Sequence, residues 1–105
     1  MNEKDVFIYY RPLLIKCVRS VVRSLEKLYH VKISSWADFE HNIVMVVEDG
    51  DIKTGCAYSK YTLGGMWDSE RPVRSIKAIT DYFRSVLKDQ ILETKIQKGV
   101  ALWAK

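Results

Sequence analysis

Ile43-Val44-Met45-Val46-Val47, followed two residues later by Asp49-Gly50, constrains this chain more than any other segment. A five-residue run rich in β-branched side chains is too short for most helices and apolar on both faces, so it reads as a strand covered on each side. Asp-Gly then supplies the strongest short hairpin signal, because the favoured tight turns need positive φ at their centre. The expected hairpin pairs residues 41–48 with 52–63, and the broken alternation from Ile52 to Leu63 points to a bulge or a twist in the second strand. Two strands are too little sheet to stand alone, so helices or another chain must bury their faces.

Both flanks offer helices. From Pro12 to about His30, Leu14, Cys17, Val18, Val21, Leu25 and Leu28 recur every three or four residues and share one stripe. Pro12 fits a first-turn position, which places the helix start near residue 11 or 12 and leaves residues 6–10 as either a short leading helix or a strand. Ser35 and Asp38 suggest a capped helical turn around Trp36 and Phe39. After Gly64-Gly65, Asp68 or Ser69 is the expected cap of a second helix with Pro72 in its first turn. Its core stripe is Val73, Ile76, Ile79, Phe83, Val86, Leu87 and Ile91.

The stripe breaks at Leu92. A straight helix from 73 to 98 would run about 39 Å, as long as a small domain is wide. Residues 92–105 therefore read either as a third strand over 94–104 or as an interface helix that buries Leu92, Ile96 and Trp103 against a second chain. The fold class expected is α+β: two amphipathic helices packed on a small antiparallel sheet. At 105 residues the chain fits a single compact domain, 1–105, with 92–105 as a possible oligomerisation tail.

Charge is unevenly placed. Residues 1–35 hold seven Lys/Arg and three acids, residues 36–70 two and seven, residues 71–105 eight and three, so two basic flanks enclose an acidic middle under a net charge of only +4. On helix 1, Lys16, Arg19, Arg23 and Lys27 fall within an arc of about 80° opposite the apolar stripe. Arg74, Lys77, Arg84 and Lys88 do the same on helix 2, where Asp81 compensates part of the row. Several cations on one rigid face can neutralise a row of phosphates and release their counterions. The same face is equally the ordinary solvated side of a soluble helix. Tyr61 and Trp67, beside the glycine pair, are candidate aromatic contacts for bases or for a protein.

Other chemistry finds little support. Cys17 and Cys56 lack a zinc, redox or disulfide spacing and read as reduced thiols of a cytoplasmic protein. His41 and Cys56 could meet across the hairpin as base and thiol, but no local motif accompanies them. Glu48, Asp49 and Asp51 read as turn acids, since they span far less than a calcium loop. No catalytic residue, metal ligand or cofactor is expected, and no apolar run approaches a transmembrane span. The function expected is a small non-catalytic accessory module that binds DNA or RNA through its basic helix faces. A protein-interaction subunit or homo-oligomeric adaptor, and a small enzyme with a site formed across an oligomer, are the alternatives.

Overall fold

Asn2 opens the first helix by accepting a hydrogen bond from the Asp5 N–H at 2.9 Å, the side-chain cap that satisfies an orphan amide of the first turn. The computed structural model describes residues 2–38, 42–59 and 65–103. Helix α1 (Glu3–Tyr29) is followed by strands β1 (Lys32–Asp38), β2 (Asn42–Asp49) and β3 (Ile52–Ser59), and by helix α2 (Pro72–Trp103). The strands form one antiparallel sheet in the order β1-β2-β3. Two helices on a small antiparallel sheet is the α+β arrangement expected from the sequence.

The start of α1 corrects the sequence reading. Residues 6–10 are helical and Pro12 lies in the helix interior, where its exposed ring faces outward. The signals for the earlier start are Asn2, Asp5 in the first turn beside the positive end of the helix dipole, and Phe7 and Tyr10, which extend the apolar stripe backward. At the other end, His30 adopts the left-handed conformation (φ 55°) and the Val31 N–H reaches back to the Glu26 carbonyl at 3.3 Å. Glu26 also accepts the Ile33 N–H on its carboxylate at 3.0 Å, so one residue ties the helix end to the first strand.

The segment expected to be a helical turn around Ser35 and Trp36 is strand β1, paired residue for residue with β2 from Lys32↔Glu48 to Asp38↔Asn42. The third strand thus comes from residues 32–38 and not from the tail. Ser35 and Asp38 do suit a cap, but the longer ladder on β2 prevails over that local preference. Phe39 lies outside the described residues, as do residues 60–63 of the expected second strand. Over residues 52–59 the register with β2 is unbroken, with no bulge.

The hairpin turn also shifts by one residue. Asp49 pairs with Ile52, leaving Gly50 and Asp51 as the central pair. Of these only Gly50 has positive φ, at 63°, which is the pattern of a type II′ turn with glycine first.

Register places Ile33, Val47 and Thr54 side by side on one face of the sheet. Met45, Val47 and Asp49 on that face are buried, while Val44, Val46 and Glu48 on the other are only half-buried, so β2 has one closed face instead of the two expected. The closed face meets Ile76, Ile79, Phe83, Leu87 and Ile91 of α2 and Leu14, Val21 and Leu25 of α1 in a single cluster. Thr94, completely buried, shares a 2.6 Å hydrogen bond with Thr54 of β3 and donates to the Gln90 carbonyl. A polar side chain at a core position is thereby satisfied.

Both helices run the same way. Trp67, just ahead of α2, packs edge-on against Phe7 near the start of α1, with ring centroids 5.1 Å apart, while the end of α1 and residues 94–98 of α2 both lie beside the β2–β3 turn. Asp68 does not cap α2 as expected. Its carboxylate accepts the Glu70 N–H and its own N–H donates to the Ser75 hydroxyl, a turn that leads into Pro72 as the first helical residue.

α2 continues unbroken through 32 residues, about 48 Å at 1.5 Å per residue. A straight helix of this length, against the expectation from the sequence, is accommodated because the molecule is elongated, 59 × 24 × 16 Å, with a radius of gyration of 15.5 Å against about 13 Å for a compact chain of this size. Two side chains of the predicted stripes stay outside the core: Leu28 is 68% and Val73 67% exposed. Helical phase fixes the side of a residue but not where the neighbouring element ends. Replacing Leu87, which is completely buried, by alanine is expected to cost about 2–5 kcal/mol. Val73→Ala should cost less than about 0.5 kcal/mol; chemical denaturation of both variants measures the contrast.

Candidate nucleic-acid interface

Lys16, Arg19, Arg23 and Lys27 are all exposed on α1, on the side away from the buried Leu14, Val21 and Leu25. Their positions advance by three, four and four residues, so they form one outward row about 16 Å long. Among the described residues no carboxylate lies within ion-pairing distance of any of the four. A shallow, open depression follows the row, bordered by Pro12, Ile15, Ser20 and Ser24 together with Lys16, Arg19 and Arg23. The stripe read from the sequence is thus brought together as one accessible cationic face.

The second row is less uniform. Arg74, Lys77, Arg84 and Lys88 are exposed on α2, but Arg84 donates to Asp81 at 2.9 Å, as their spacing suggested. Leu92, Ile96 and Trp103 are exposed at the far end of the same helix. Trp67 is half-buried: its ring meets Phe7 and Tyr10, and its indole N–H donates to the Ser69 hydroxyl at 2.9 Å. That ring joins the beginnings of the two helices. Tyr61 and His41 lie outside the described residues.

The acidic turn is built differently from the sequence reading. Asp49 is buried, with Lys95 Nζ 2.7 Å from Oδ2 and Lys98 Nζ 2.9 Å from Oδ1. Glu48 approaches Lys53 at 3.8 Å on the opposite face. The sequence signal for the Asp49 site was available in Lys95 and Lys98, one turn apart on α2. It was obscured because residues 94–104 also fit a strand. Hydrogen bonds from Lys95 and then Lys98 hold the Asp49 carboxyl below the usual carboxylate range, against the opposing effect of burial. Among the described residues no group of three or more His, Cys, Asp or Glu side chains converges as a metal site would require, and no helix is long and apolar enough to cross a membrane.

Compared with protein-family models, curated proteins and solved structures, the chain matches none.

A carboxylate whose proton affinity is lowered by folding stabilises the native state above its unfolded pKa and loses that contribution as pH falls through the folded value. Asp49→Asn should therefore cost about 1 kcal/mol at neutral pH, discounted for the partly exposed lysines. The difference from the unmodified chain should shrink below about pH 4. Thermal unfolding across pH 2–7 measures both.

Proposed function

We propose that this chain is a small non-catalytic accessory module that binds nucleic acid through its basic helix faces. The observation that supports the reading is the row Lys16, Arg19, Arg23 and Lys27, exposed along α1 with no carboxylate partner among the described residues. Phosphates repeat along a nucleic-acid backbone, and a rigid row of cations meets several of them without ordering any backbone of its own. Arg74 and Lys77, exposed on the neighbouring helix, extend the positive field.

The row itself contains no aromatic side chain on which a base could stack. Contact is therefore made to the phosphates, which position a protein without reading sequence. Affinity on this reading is electrostatic, weakly selective and strongly dependent on salt. The competing reading, a protein-interaction subunit whose acidic hairpin (Glu48, Asp49, Asp51) meets a basic helix face on another copy or on a different protein, loses one of its three acids: Asp49 is buried between two lysines of its own chain.

Replacing Arg19 and Arg23 together by serine should weaken binding to a short DNA or RNA duplex by about tenfold to a hundredfold at low salt. The slope of log K against log salt should fall by about two, one for each phosphate contact removed. Fluorescence anisotropy at several salt concentrations, with circular dichroism as the folding check, measures both quantities. Binding that ignores salt and both substitutions overturns the reading.

A further inference from the structure

We propose that the nucleic acid held along α1 is single-stranded and that one of its bases stacks on Tyr9, a proposal that rests on the phosphate-binding row described above. Tyr9 is 70% exposed, about two helical turns ahead of Lys16. At about 100° per residue it falls inside the same arc of about 80° as Lys16, Arg19, Arg23 and Lys27. Ring and cations therefore share one outward line about 27 Å long. The shallow depression that follows the cations begins at Pro12, one turn beyond the ring.

The ring is supported from below. It meets the Tyr10 ring at near right angles with centroids 5.0 Å apart, and Tyr10 lies 6.5 Å from Trp67. Trp67 is fixed in turn by Phe7 and by the Ser69 hydroxyl. A chain of rings thus leads from the junction of the two helices to the surface, where Tyr9 is its open end. A side chain ordered before its ligand arrives gives up little freedom on binding, so more of the stacking energy appears as affinity. Trp67, half-buried within that chain, serves as its support and not as the platform for a base.

An aromatic platform beside a cationic groove is the arrangement that grips single strands: the phosphates follow the groove while a base turns onto the ring. In a duplex each base is already stacked between its neighbours, and its face is closed to Tyr9. A lipid surface fits this side of α1 less well. Ile8, Tyr9 and Leu13 expose apolar surface only ahead of the cations, and beside Arg19 and Arg23 the exposed side chains are Ser20 and Ser24, which have nothing to insert into a bilayer.

Fluorescence anisotropy with an oligothymidylate of about twelve nucleotides, free and annealed to its complement, tests the proposal at about 0.15 M salt. The single strand should bind about tenfold more tightly than the duplex. Tyr9→Ala, with unchanged circular dichroism, should weaken the single strand by about tenfold and the duplex by less than about twofold. Tyr9→Phe keeps the stacking face and should keep the parent affinity. Equal affinity for the two forms, or an equal response of both to Tyr9→Ala, overturns the single-strand assignment. The phosphate row survives that result if Arg19→Ser with Arg23→Ser still lowers the salt slope. Binding to neither form, with sedimentation on vesicles of equal parts phosphatidylserine and phosphatidylcholine, overturns both in favour of a lipid surface.

Discussion

One face of a three-stranded sheet must be taken out of water, and a single long helix supplies most of its cover. Met45, Val47 and Ile33 present that face, and Ile79, Phe83, Leu87 and Ile91 close it. Three strands exposed on both sides would have no stable core, so the sheet and α2 depend on each other. The remaining contacts fix how they meet. Thr54 and Thr94 set the height of the helix on β3, and Asp49 anchors the turn to Lys95 and Lys98 beyond it.

That arrangement determines which surfaces remain open. α1 packs mainly against α2 and meets the sheet at β1, so on its outer side Lys16, Arg19, Arg23 and Lys27 have no carboxylate within ion-pairing distance among the described residues. The lysines near the end of α2 are used differently: two of them neutralise a buried acid. Net charge is a poor guide here. The positive charge on which the proposed function rests is the part the fold leaves without a carboxylate partner along α1, among the described residues.

Much of this was legible in the sequence. The helical period located the cores of both helices, Asp49-Gly50 located the hairpin, and the α1 row emerged with all four cations on one outward face. What failed has common physical causes. Pro12 suits a first turn yet is tolerated in an exposed helix interior, and Ser35 suits a cap yet lies in a strand once β2 offers it a ladder. The tail failed for another reason. A helix with one apolar side facing its own sheet and another facing outward has no single stripe, so its pattern looks like a loss of helical phase at Leu92. Residues distant in sequence, such as Asp49 and Lys98, meet only after the topology is known.

The proposed function requires that α1 keep two independent sides, one holding the fold and one left free for a polyanion. Backbone amide chemical shifts recorded during titration with a short nucleic-acid duplex at low salt address it directly. Contact along the row should shift Lys16, Arg19, Arg23 and Lys27 and leave Met45, Val47 and Leu87 unmoved. Shifts confined to the open face of the sheet, or none at any residue of α1, would contradict it.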